Sequence, residues 1–130
     1  MGPLVDTSVL IDFFGGRSTA GARAFDRLLE AGTVPATAPV IVQEFLQGFT
    51  TAGDLAKARD YLGRLEPLPP ADYEVHEAGA GLHRLLRRSG FTMSTIDCLI
   101  VATARHFRRD LLTADDGQRR LARAAAVTLV

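Results

Sequence analysis

Acidic side chains stand in this chain where an ionised carboxylate is expensive to keep. Asp6 interrupts the apolar opening GPLVDTSVLIDFFGG, Glu44 the run VIVQEFLQGF and Asp97 the run STIDCLIVATA, while Asp115 and Asp116 follow the apolar stretch LLT. An unpaired buried carboxylate is so unfavourable that such placement implies a proton, a cation or a cavity. A carboxylate that only solvates a helix commonly has a basic neighbour three or four positions away. Asp60 has Lys57 and Arg64, and Asp26 has Arg23; Glu44 has Val40, Ile41, Gln47 and Gly48 at those positions, and Asp97 has Met93, Ser94, Ile100 and Val101. Carboxylates without local counter-charge would repel one another in a shared pocket, and a hard divalent cation with oxygen ligands relieves that repulsion. Mg²⁺ or Mn²⁺ is the expected ion, because the chain has no cysteine cluster and no histidine pair at metal-ligand spacing to favour zinc.

Each acid also has a purely structural use. Asp6 can cap the helix that follows it, Asp97 can complete a capping box with Ser94, and Glu44 can reach the surface along its stem. Asp115 or Asp116 can cap the last helix or pair with Arg119 and Arg120, the role expected for whichever of the two is not a ligand. Asp12 lies about 120° around the first helix from position 6 and is read as structural.

The elements that must position these groups follow from hydrophobic period and stop signals. Leu4–Val5 reads as a strand and Thr7 to Phe14, closed by Gly15-Gly16, as a helix. Further helices fit Thr19 to Ala31, the stretch from Pro39 through Phe49, Leu55 to Leu65, Asp72 to Arg88, Ser94 to Phe107 and Asp116 to Ala125. TVPATA, Asp110 to Thr113 and Val127 to Val130 read as strands or extended entries, and EPLPP as an extended linker. Short strands alternating with helices imply an α/β fold, a central parallel sheet of about four to five strands flanked by helices, since parallel crossovers need a helix between them. In such sheets ligands bind beyond the carboxyl ends of the strands, the rim that Asp6 and Asp115 would share if their strands are neighbours.

Composition bounds the rest. The 130 residues suit one domain spanning 1–130, with enough apolar material for a core of its own. The single cysteine, Cys98, has no partner for an internal disulfide, and no apolar stretch reaches the roughly 18 residues of a membrane span, so a soluble protein in a reducing cytoplasm is expected. Net charge is zero but unevenly spread: residues 84–130 carry nine arginines against four acids. Arginine binds phosphate well, and Arg119 and Arg120 lie nearest the last acids.

Taken in order, VDTSVLIDFF, VIVQEFLQGF, TIDCLIVATA and LLTADD resemble the PIN-domain ribonucleases, most of all the small VapC-type toxins of bacterial toxin–antitoxin pairs. The resemblance covers essentially the whole chain in length, order and spacing. It implies a single PIN-like domain and a metal-dependent endoribonuclease that leaves a 5′-phosphate and a 3′-hydroxyl. Asp6 and Asp97 then match direct metal ligands, Glu44 a ligand or holder of the attacking water, and Asp115, with Asp116 as its alternative, an outer or second-metal ligand. Thr7 and Thr113 match the hydroxyls that support the acids. Family members often show an acid, a variable residue, a second acid and an aromatic where this chain has Asp115, Asp116, Gly117 and Gln118. The resemblance further implies an RNA substrate, for whose phosphates Arg119 and Arg120 are the first candidates, a cognate VapB-type antitoxin, a homodimer and a toxin–antitoxin hetero-oligomer. Phe45, Leu46 and Phe49 are candidates for antitoxin docking, with core packing as their other use. Two other readings compete: a PIN-like module that binds RNA or antitoxin without cleaving, and a receiver-like signalling domain. The second lacks its expected lysine, since Lys57, the only lysine, lies in a predicted helix.

Overall fold

The computed structural model describes residues 1–130. Strands β1 (Leu4–Val5), β2 (Ala36–Thr37), β3 (Glu66–Pro67) and β4 (Leu111–Leu112) form one parallel sheet in the order β3-β2-β1-β4. Leu4 is paired with Ala36 on one side and Leu111 on the other, so the most apolar dipeptide of the N-terminus takes an inner position. Helices α1 (Thr7–Phe14) and α2 (Ala20–Glu30) join β1 to β2, α3 (Pro39–Leu46) and α4 (Ala52–Leu62) join β2 to β3, and α5 (Tyr73–Arg88) and α6 (Thr95–His106) carry the chain to β4. Helix α7 (Asp116–Ala124) follows β4. Successive strands run outward from β1 to β3 before the chain returns to β4 on the other side of β1. With right-handed crossovers this reversal puts the connecting helices on opposite faces, and the crevice between the ends of β1 and β4 is the topological switch point.

Local signals account for most element boundaries. The Asp6 side chain accepts the Ser8 N–H at the start of α1, and Gly16, with φ of 72°, leaves that helix in the left-handed region open to glycine. Pro39 opens α3 at a position where its missing N–H is no loss. Helix α4 starts three residues before the expected Leu55 because Thr51 caps it through the Asp54 N–H at 3.2 Å. The expected linker EPLPP instead supplies the edge strand β3, with Glu66 N–H donating to Pro35 O at 2.9 Å and Leu68 N–H to Thr37 O at 2.8 Å. Pro67 fits there because an outer edge asks for no second donor. The expected last strand at Val127 to Val130 shrinks to one parallel bridge between Leu111 and Leu129.

Leu4, Val5, Ile41, Ile100, Val101, Leu111 and Leu121 are fully buried, and the apolar centre of α6 is the packed helix its composition implies. Beside α1, Phe13 and Phe25 meet edge to face at 4.8 Å, with Tyr61 against both. The Tyr61 hydroxyl is buried there without a hydrogen-bond partner, and burial pushes its pKa up to about 12. Far from the switch point, buried Arg109 donates to Gly2 O at 2.9 Å and to Glu66 Oε1 at 3.0 Å, tying the N-terminus to the β3 edge.

Candidate functional site

Asp6 ends β1 at the switch point, and its N–H donates to Leu112 O of β4 at 2.9 Å. Asp6 is 4% exposed, and both of its carboxylate oxygens accept hydrogen bonds. Oδ2 accepts from Ser8 N–H at 3.1 Å and from Ser8 Oγ at 2.6 Å, and Oδ1 accepts from Gln118 Nε2 at 3.1 Å, while Thr113 Oγ1 lies 3.4 Å from Oδ2 with its hydrogen on Gln118 Oε1 at 2.7 Å. Ser8 Oγ in turn accepts the Ala114 N–H at 3.1 Å, so the loop after β4 is fastened to the start of α1.

The other acids arrive on separate elements. Glu44, on α3, accepts Thr7 Oγ1–H at 2.9 Å, which brings it beside Asp6. Asp97, in the first turn of α6, accepts the same Gln118 amide nitrogen at 3.0 Å. Two hydrogen bonds of 3.1 and 3.0 Å from one nitrogen keep the Asp6 and Asp97 oxygens within about 6 Å of each other. Asp115 caps α7 by accepting the Gln118 N–H at 2.8 Å. Acids from four distant stretches of the sequence thus share one rim, as their apolar settings imply.

Their charges interact. Burial raises the Glu44 pKa above its ordinary value, the Thr7 hydrogen bond opposes the rise, and repulsion from Asp6 and Asp97 adds to it. Burial likewise raises Asp97, helped by repulsion from Asp115 and Asp6 and opposed by hydrogen bonds to Ser94 and Gln118. Three of the four acids sit at the N-termini of α1, α6 and α7, whose positive dipole ends offset part of this repulsion. Glu44 lies within α3 and lacks that help.

Capping and the acidic rim coincide at three of these acids. Asp6 caps α1 and also faces the acidic rim, and Ser94 caps α6 through the Asp97 N–H at 3.0 Å while the Asp97 carboxylate faces Gln118. The capping role assigned to the acid that is not a ligand falls to Asp115, the same acid that repels Asp97. Asp116 is exposed and lines a different cleft with Asp12, Thr19 and Arg119. Asp12 pairs with Arg17 at 3.4 Å, a surface role. Thr7 and Thr113 stand beside the acids. Arg119 bends back to Thr113 O at 3.4 Å, whereas exposed Arg120 lies 3.4 Å above the Phe91 ring. Arg109, one of the nine C-terminal arginines, is withdrawn from any ligand surface by its buried pairing.

Sequence reasoning missed Ser8 and Gln118. Gln118 is 0% exposed and continues the buried α7 row of Leu121, Ala122 and Ala125, so a polar residue in an apolar row was its signal. Ser8 had the weaker signal of a hydroxyl two residues after a capping Asp. No three His, Cys, Asp or Glu side chains close on a common point at metal-holding distance. An all-carboxylate donor set of this looser kind fits Mg²⁺, which keeps several waters and takes one or two carboxylates directly, rather than an ion needing a full protein cage.

This fold and rim define a protein class: the chain belongs to the PIN domain family, which it matches over residues 4–124. Among its relatives, a VapC ribonuclease of Mycobacterium bovis and ribonuclease VapC11 of Mycobacterium tuberculosis are each 34% identical over 110 residues, 82% of this chain and 81% of theirs. The fold is shared with VapBC2 from Rickettsia felis bound to a promoter DNA fragment, at a TM-score of 0.79 and 17% identity over 100% of this chain and 98% of that one. It is shared also with Mycobacterium tuberculosis VapC20, a sarcin-ricin loop cleaving toxin, at 0.71 and 16% over 98% and 97%.

Proposed function

We propose that this chain is a VapC-type toxin, a Mg²⁺- or Mn²⁺-dependent endoribonuclease restrained by a cognate VapB-type antitoxin. The observation that carries this reading is the meeting of Asp6, Glu44, Asp97 and Asp115 at the switch point, with Asp6 and Asp97 oxygens within about 6 Å. Its relatives bear the name ribonuclease, and neighbours of the same fold are toxin–antitoxin complexes. Asp6 and Asp97 would hold the ion, Glu44 would hold it or the attacking water, and Asp115 would stand in the outer sphere. When bound, such an ion supplies Lewis-acid chemistry, activating water and neutralising charge on the phosphodiester. The residues around it do the rest: Thr7 orients Glu44, Ser8 fixes the Asp6 carboxylate, Thr113 holds the Gln118 carbonyl, and Glu44, the one acid away from a helix N-terminus, is best placed to take a proton from water.

RNA must be held by cations around an acidic centre. Arg120 stacked on Phe91 offers a charge for phosphate and an aromatic edge for a base, and Arg119, held at Thr113 O, offers a second charge in the cleft beside Asp116. Beside Glu44, a groove lined by Ile11, Phe14, Phe45 and Phe49 would let an apolar antitoxin segment cover aromatic surface next to the acids. Phe45 itself is buried, so its exposed neighbour Ile11 is the stronger docking candidate. No helix is long and apolar enough to cross a membrane, and a cytoplasmic protein acting as a homodimer within a toxin–antitoxin hetero-oligomer is the setting this reading implies.

The competing reading, a binding module without hydrolysis, draws on Gly117 and Gln118, which stand where family members place an acid and an aromatic. Incubating the purified protein with RNA in Mg²⁺, Mn²⁺ or EDTA, beside Glu44→Gln and Asp97→Asn, separates the two. Cleavage that needs the ion and both acids supports the toxin reading; tight RNA binding without cleavage in any divalent ion supports the module.

A further inference from the structure

Gln118 bonds to three of the four acids of the centre. Its amide hydrogens go to Asp6 Oδ1 at 3.1 Å and Asp97 Oδ1 at 3.0 Å, its carbonyl accepts Thr113 Oγ1–H at 2.7 Å, and its backbone N–H goes to Asp115 Oδ1 at 2.8 Å. The amide can face only this way, because the reverse orientation would set its oxygen against two carboxylates. In a buried row otherwise made of Leu121, Ala122 and Ala125, packing alone would be served by an apolar side chain. An amide here is neutral, so it draws two like charges together without cancelling either, as a lysine or arginine would. It also leaves acceptor capacity open, since Asp6 Oδ1 receives only the hydrogen bond of Gln118.

We infer that Gln118 is a positioning residue that presets the spacing of Asp6 and Asp97 for a divalent ion. The inference rests on the divalent-ion reading above. Hydrogen-bond partners behind metal ligands typically account for 10–100-fold in metal affinity, and Gln118 serves two ligands at once. Gly117 keeps the corner clear, since a Cβ there would stand 3.1 Å from Asp115 Oδ1 and 3.2 Å from Met93 Cε.

The test is Mn²⁺ binding by electron paramagnetic resonance of the free ion, with thermal unfolding in EDTA and in Mn²⁺, on the full chain and on Gln118→Met and Gln118→Glu. Gln118→Met fills the volume without the donors and should weaken Mn²⁺ binding about tenfold or more. Gln118→Glu sets a further buried carboxylate against Asp6 and Asp97; it should unfold at lower temperature in EDTA and gain more from Mn²⁺ than the unaltered chain does. If Gln118→Met does not fold, Gln118→Glu decides alone. Variants that lose stability in EDTA but bind Mn²⁺ within twofold of the unaltered chain, with the same Mn²⁺-induced rise, would reduce Gln118 to packing while leaving the divalent-ion reading intact. An unaltered chain that binds no Mn²⁺ would remove both.

Discussion

Asp97→Asn should make this protein more stable and less active at once. The substitution keeps shape and local bonding, because Ser94 still accepts the N–H of residue 97 and the new Oδ1 still accepts the Gln118 amide. What disappears is one negative charge. With the Asp6 and Asp97 oxygens within about 6 Å, their repulsion is about 3 kcal/mol at an effective dielectric of about 20. Water on the half-buried Asp97 side roughly halves this, while repulsion from Asp115 and Glu44 restores about 1 kcal/mol. Against that gain stand the weaker hydrogen bond of a neutral acceptor, about 1 kcal/mol, and the lost anion at the α6 N-terminus, about 0.5 kcal/mol. The balance is a stabilisation of about 1 kcal/mol in EDTA at pH 7.5, or roughly 4 °C in Tm for a chain of this size. Urea unfolding with and without Mn²⁺ reads the effect, and an RNA cleavage assay reads the function. The variant should be more stable in EDTA, gain nothing from Mn²⁺, and cleave at least about a hundredfold more slowly, a loss of roughly 3 kcal/mol in the transition state. An Asp97→Asn protein no more stable than its parent in EDTA, and equally stabilised by Mn²⁺, would refute the argument from repulsion.

Three further predictions concern the rest of the molecule. Tyr61→Phe removes a buried hydroxyl without a partner and should raise stability by about 1 kcal/mol in urea unfolding. Because the folded Tyr61 pKa is raised to about 12, its contribution is whole below the ordinary value of 10.0 and fades as pH rises toward 12. The variant should therefore lose less stability over that alkaline window; an identical decline would count against the buried hydroxyl. Arg109 holds the Glu66 carboxyl below its ordinary 4.5 by hydrogen bonding, so this contribution is present above pH 4.5 and is lost as pH falls through the lowered value. Glu66→Gln should lower the urea midpoint at pH 7 and flatten the acid limb of the stability profile, and an unchanged acid limb would disprove the linkage. Arg120→Ala should weaken RNA binding across sequences and reduce the salt slope of log K by about one phosphate contact, measured by fluorescence anisotropy at several salt concentrations; an unchanged slope would take Arg120 out of the RNA surface.

The N-terminal elements were legible because their signals are local. Asp6, the Gly15-Gly16 stop and the apolar period between them define α1 residue for residue, and α5 starts one residue after the expected Asp72, which caps it. Helix α4 was misplaced at its start because its weakly amphipathic surface hid the Thr51 cap. Strand β3 carries no signal of its own: two residues, one a proline, become a strand only when β2 lies alongside.

The acids followed the same division. That Asp6, Glu44 and Asp97 lack a cation within a helical turn is a property of spacing, so the sequence alone marked them as carboxylates needing company from afar. Which company they keep is a matter of three dimensions. Only the return of β4 to the side of β1 sets Asp115 rather than Asp116 against Asp97, buries Arg109 away from the site, and carries the Gln118 amide to Asp6, 112 residues away. Hydrophobic period and capping act over about one turn and are written in the order of residues; hydrogen bonds between distant elements depend on strand order, which no short stretch of sequence contains.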